Sequence, residues 1–77
     1  MKFKQFKSRK YYCTWVSTRR IKNCRIFIYR SPISKLYHFV VEYCSTIIYT
    51  SLDDNLRFNN FELCSKSAEL WIKTNIE

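Results

Sequence analysis

Few side chains in this 77-residue chain could act as nucleophile, base or metal ligand: one histidine, four cysteines and six carboxylates. His38 lies in an alternating run, Leu36–Tyr43, with Glu42 four residues further on. On a strand those two share a face but stand about 13 Å apart, too far for a hydrogen bond. Cys13, Cys24, Cys44 and Cys64 are widely spaced and form no CxxC or CxxH pair, so the ligand spacing of a structural zinc site is missing. Reduced cysteine behaves as a small apolar side chain, which makes these four fillers of a core or its margin. Cys13 and Cys24 could face each other across a hairpin. A Cys–His dyad would need one of these thiols brought to His38 by the fold. Asp53 and Asp54 are adjacent, which suits a turn or a helix cap better than a magnesium site. The expectation is a protein that is not an enzyme, with no catalytic residues, no metal and no cofactor.

The glycine count narrows the field further. The chain has none, where ordinary usage of roughly 7% would supply about five. The P-loop, the dinucleotide-binding GxGxxG turn, the kinase glycine loop, the GXXG clamp and the EF-hand loop all need glycine for backbone conformation or for close phosphate approach. None can be present. Residues with AT-rich codons (Phe, Tyr, Met, Ile, Asn, Lys) supply 34 positions, which fits a low-GC source such as a phage, an organelle or an AT-rich bacterium. A chain this short buries only about 60% of the surface its unfolded form exposes, so one small domain is expected and a large catalytic cleft is not.

Charge is the strongest signal. Residues 1–30 carry ten cations and no acid, whereas residues 31–77 carry four cations and six acids. The formal +8 is therefore a basic end joined to a nearly neutral remainder. Such a cluster is the electrostatic footprint expected for nucleic acid, an anionic membrane or an acidic protein surface, against the plainer reading of a solvated face. The candidate binding residues are Lys7, Arg9, Lys10, Arg19, Arg20, Lys22, Arg25, Tyr29 and Arg30. Cationic groups bind phosphates and aromatic rings stack on unpaired bases, so a basic surface interleaved with aromatics suits nucleic acid or a nucleoprotein. No uncharged stretch approaches the roughly 20 apolar residues of a membrane span, and no signal sequence is recognisable, which points to a cytoplasmic protein.

The elements that must hold these residues follow from periodicity. Residues 1–10 show only a weak Lys/Phe alternation and read as a flexible basic arm, with the domain proper over 11–77. Tyr11–Ser17 and Cys24–Arg30 alternate at period two, as does Leu36–Tyr43. In the second of these, Ile26 and Ile28 share one face, while Arg25, Phe27 and Tyr29 share the other, with Tyr12 and Thr14 expected beside them. Thr18–Asn23 is a basic turn in which Asn23 is best suited to a left-handed conformation. Ser31–Lys35, which holds the only proline, is a second turn. Without glycine the turns are expected not to be the tight two-residue kind. Thr46–Ser51 is a fourth strand or the continuation of the third past a bend, and Leu52–Asn60 reads as a polar loop. Phe61, Cys64, Ala68, Trp71 and Ile72 then fall at helical spacing behind Asn60 as N-cap, with Trp15 and Trp71 assigned to the core. The fold class is α+β: a three- or four-stranded antiparallel sheet packed against one C-terminal helix.

This order of elements resembles the AP2-like and arm-type integrase DNA-binding modules, which close with a phenylalanine, a short polar run and an alanine-containing helix. The matching residues are Phe58 or Phe61, then Glu62–Ser67, then Ala68, Glu69, Leu70 and Trp71. The resemblance implies a sheet face that enters the major groove and would bring Arg25, Tyr29 and Arg30 toward DNA. A different class fits the same basic end: an inhibitor or accessory subunit of phage or mobile-element origin, like the anti-CRISPR proteins, acting by binding a protein partner in a nucleic-acid-processing complex.

Overall fold

The structure, a computed structural model, describes residues 2–6 and 13–76. Five strands, β1 (Phe3–Phe6), β2 (Cys13–Ser17), β3 (Cys24–Arg30), β4 (Tyr37–Tyr43) and β5 (Thr46–Thr50), form one antiparallel meander in sequence order. A 3-10 turn (Ser51–Asp54) and the helix α1 (Phe61–Asn75) follow. The α+β arrangement with one C-terminal helix is as the periodicity implies, but the sheet has five strands rather than three or four. Thr46–Thr50 is a strand of its own, paired to β4 through a register shift at Val41/Glu42. The arm expectation is corrected for Phe3–Phe6, which forms an edge strand opposite β2. Its short Lys/Phe pattern carries little strand signal alone. The strand is specified instead by what it meets: Phe3 packs edge-on against Phe61 at 5.2 Å, and the Thr18 amide donates to the Lys2 carbonyl at 3.0 Å.

The core lies between the centre of the sheet and the helix. Register sets Ile26 opposite Val41 and Ile28 opposite Phe39, and the helix stripe Cys64, Ala68 and Ile72 covers them; all seven are buried. Aromatic clusters flank this centre on both sides. Trp15 lies 5.0 Å from Phe61 and 5.7 Å from Tyr37, while Trp71 stacks on Tyr49 at 4.4 Å. Both tryptophans thus border the core on the helix side. Asn60 caps the helix as its spacing suggests, accepting from the Leu63 amide at 2.8 Å. Two buried serines satisfy strand amides: Ile26 N–H donates to Ser17 Oγ at 3.0 Å, and Phe39 N–H to Ser51 Oγ at 3.1 Å.

The turns overturn an expectation. Lys22–Asn23 and Cys44–Ser45 are both two-residue hairpin connections, closed by Ile21 against Cys24 and by Tyr43 against Thr46. All four central residues have positive φ (50°, 65°, 49° and 66° in order), as a type I′ turn requires. The right-handed twist of the flanking strands selects this turn, and ordinary residues adopt it at roughly 1 kcal/mol or more each because Cβ crowds the backbone there. The stretch 52–60 is likewise more ordered than a polar loop. Phe58 pairs with Tyr37 through two 2.8 Å backbone bonds and packs on Phe39. Cys13 and Cys24 do not face each other, because Cys13 pairs with Arg30 at the far end of β3.

If the left-handed positions are strained, glycine should relieve them. Ser45→Gly at an exposed site is expected to raise stability by about 0.5–1 kcal/mol, the left-handed penalty less glycine's extra chain entropy. Urea unfolding tests this, and an unchanged or lower midpoint would show that Ser45 sits there without strain.

Candidate nucleic-acid interface

Strand alternation divides the sheet cleanly. Thr14 and Val16 of β2, Arg25, Phe27 and Tyr29 of β3, and His38, Val40 and Glu42 of β4 all point away from α1. Register arranges them in cross-strand rows: Thr14–Tyr29–His38, Val16–Phe27–Val40 and Arg25–Glu42. Lys4 of β1 extends the middle row from beyond Val16. No helix of the described residues covers this face. Val16, Arg25, Phe27 and Tyr29 are half-buried, whereas Thr14 and His38 are buried. Tyr29 and His38 stack with centroids 5.1 Å apart and planes at 21°.

The expected binding residues fall into several groups. Arg19 and Arg20 are exposed in the segment after β2, and Lys2 is held beside them by the Thr18 bonds. Lys22 is exposed on the same hairpin but is already engaged: its ammonium donates to the carbonyls of Ile76 at 2.6 Å and Lys73 at 3.5 Å. There it closes the C-terminal end of α1, where unpaired carbonyls and the helix dipole favour a cation. Arg25 is on the face turned away from α1, directly opposite Glu42, and Tyr29 is four residues along the same strand. Arg30 is corrected: it shares the helix side with Ile28, and its guanidinium lies 5.8 Å from the Tyr37 ring. It therefore cannot join Arg25 and Tyr29 on one surface. Lys7, Arg9 and Lys10 lie outside the described residues. Sequence reasoning missed Lys4, exposed on β1, although the alternation in Lys2–Lys7 was the signal that could have found it.

The groups with reactive chemistry are dispersed. Cys24 and Cys64 are in the core on the side of the sheet opposite His38, so neither can form a dyad with it. Burial pushes the Cys64 thiol up to about 12, and burial followed by the neighbouring Cys44 raises Cys24, so both stay protonated at neutral pH. Among the described residues no three His, Cys, Asp or Glu side chains gather to hold a metal. Asp54 accepts a hydrogen bond from the Tyr49 hydroxyl, which with burial and the two aspartate charges lifts that phenol from 10.0 to about 12.

The opposite edge of the sheet has another character. From Leu36 to Leu56 the chain carries three carboxylates and no lysine or arginine. A groove of about 260 Å³ runs here between α1 and β5, lined by Phe39, Tyr49, Leu56, Leu70 and Trp71 among others. Leu70 beside it is 65% exposed, as is Ile47 on β5. No helix of the described residues is long and apolar enough to cross a membrane.

No family model matches the chain, and neither a curated protein nor a solved structure does.

Two outcomes follow from these bonds. Lys22→Ala is expected to cost about 0.5 kcal/mol through loss of the helix-end cation, while Arg20→Ala leaves stability unchanged. Equal thermal midpoints for the two variants would refute the capping role. The Tyr49 phenol has a folded value above its unfolded 10.0, so its contribution is complete below pH 10 and is lost as pH climbs toward about 12. Stability should fall across that window more steeply in the parent than in Tyr49→Phe, and parallel pH profiles would show that the bond contributes nothing.

Proposed function

We propose that this chain is a small, non-enzymatic, cytoplasmic protein that binds nucleic acid or a nucleoprotein through the basic end of its sheet. The observation that supports this most directly is the setting of Arg19, Arg20 and Lys2 at the margin of a sheet face that no described helix covers. That face adds Lys4, Arg25, Phe27 and Tyr29, the side-chain types that meet phosphates and bases. Lys7, Arg9 and Lys10, close in sequence, would add to the same cationic field. Lys22 contributes long-range charge while it holds the helix end.

A second reading is favoured by the groove beside β5. Exposed Leu56 and Leu70 line this apolar groove on the side of the sheet poorest in cations. Apolar patches of this kind mark protein contacts, as expected of a phage inhibitor or an accessory subunit docked on a larger complex.

Salt titration of binding, followed by purification from the native host with and without nuclease, separates the two. Direct binding to duplex DNA should weaken with salt at a log–log slope near −0.9 per phosphate engaged, and Arg19→Glu with Arg20→Glu should flatten that slope by about two. An unaltered slope would make the hairpin a solvated surface. Recovery of one stoichiometric protein that survives nuclease, with no affinity for free nucleic acid, would replace the first reading with the second.

A further inference from the structure

We infer that the sheet face turned away from α1 takes unpaired nucleotides, stacked on Phe27, in preference to a duplex groove; this rests on the nucleic-acid reading and specifies its ligand. Two physical arguments carry it. The first is width. Adjacent strands are about 4.8 Å apart, so a five-stranded sheet spans roughly 19 Å, against a major groove about 12 Å wide. A three-stranded sheet could lie within that groove, but here β1 and β5 extend the platform on both sides. The strand that carries Arg25 and Tyr29, which the resemblance would bring toward DNA, is the middle of the five.

The second argument is side-chain chemistry. Base edges in a groove are read by Arg, Lys, Asn, Gln, Ser and Thr reaching outward. At the centre of this face stand Thr14, Val16, Arg25, Phe27, Tyr29, His38, Val40 and Glu42. Of these Arg25 has the reach, and register sets it opposite the carboxylate of Glu42, while Thr14 and His38 are buried and the Tyr29 ring stacks on His38. The remainder is apolar or aromatic and offers a surface rather than a hydrogen-bond code. Such a surface suits a π-face, and a base shows its face only when it is unstacked and unpaired.

Phe27 is the position best placed for that contact. Half-buried itself, it occupies the middle of the row Lys4–Val16–Phe27–Val40, with half-buried Val16 and buried Val40 on the neighbouring strands as an apolar floor. Arg25 and Tyr29 stand two residues to either side, about 7 Å away along β3. Lys4 at one edge, and Arg19 and Arg20 at one end, supply cations for the phosphates of a strand lying across the floor. Flexible single strands can follow such a platform, which a rigid duplex cannot.

The experiment is fluorescence anisotropy with the full chain at one salt concentration. The probes are a labelled mixed-sequence single strand of roughly 12 nucleotides, in DNA and RNA forms, and the blunt DNA duplex of the same sequence. The single strand is expected to bind at least about tenfold tighter than the duplex. Phe27→Leu, which keeps the apolar row, should lose about tenfold on the single strand with no change on the duplex, and Phe27→Tyr should restore the loss. A duplex bound as tightly as the single strand would overturn the inference and leave nucleic-acid binding intact. Equal losses on both probes in Phe27→Leu would do the same. Failure to bind any probe would overturn the nucleic-acid reading itself. The comparison of probes on the unmodified chain decides the point even where a variant does not fold.

Discussion

One fifteen-residue helix must bury a five-stranded sheet, and it can cover only one of the two faces. Everything else in the molecule is arranged around that constraint. Ile26, Ile28, Phe39 and Val41 are closed off by Cys64, Ala68 and Ile72, and the aromatic clusters around Trp15 and Trp71 widen the seal toward the edges. With Cys24, these residues make up the buried hydrophobic cluster of the described chain, so the position of the helix governs the fold. Both of its ends are fixed by specific bonds: Asn60 at the start, and the Lys22 ammonium at the finish. The other face follows from the same economy. It lies outside the helix's reach, and it carries half-buried aromatic, apolar and charged side chains beside buried Thr14, His38 and Val40.

The absence of glycine shapes the fold in an unexpected direction. Among the described residues six non-glycine positions hold positive φ, four of them in the two tight hairpins. The strands could have been joined by longer loops, as β3 and β4 are, but the tight turns hold β2 against β3 and β4 against β5, on either side of the β3–β4 pair whose register creates the core rows. Burying those rows outweighs a local backbone cost of a few kcal/mol. The hairpin between β2 and β3 thereby acquires two roles. Its tight geometry carries Lys22 to the helix end, while Arg19 and Arg20 just before it remain exposed. Positive charge in this segment is therefore partly architectural, and net charge overstates the surface open to a partner.

Legibility varied with the range of the interaction. Period two in Cys24–Arg30 was enough to separate Ile26 and Ile28 from Arg25, Phe27 and Tyr29, and the helical stripe with its Asn60 cap was equally plain. The same alternation assigns Arg30 to the side of Ile28, so grouping it with Arg25 ignored information already present. The strand at Phe3–Phe6 was not legible, because four residues of mixed character become a strand only when an edge is there to receive them. Nor could Phe58 be distinguished from loop, since its order comes from bonds to Tyr37 far back in the chain.

By itself, then, the sequence determined the period of each element, the face each side chain takes, the cap of the helix and the concentration of charge in the first thirty residues. These are local properties, written in neighbours a few positions apart. Tertiary structure decided which cations remain available. Lys22 is engaged with a carbonyl 54 residues away, and Arg25 is set against Glu42. It also decided the number of strands, and with it the width of the face turned away from α1. The reason is physical: what a charged group meets, and how broad a sheet grows, depend on elements brought together from distant parts of the chain, and no local pattern encodes their separation in space.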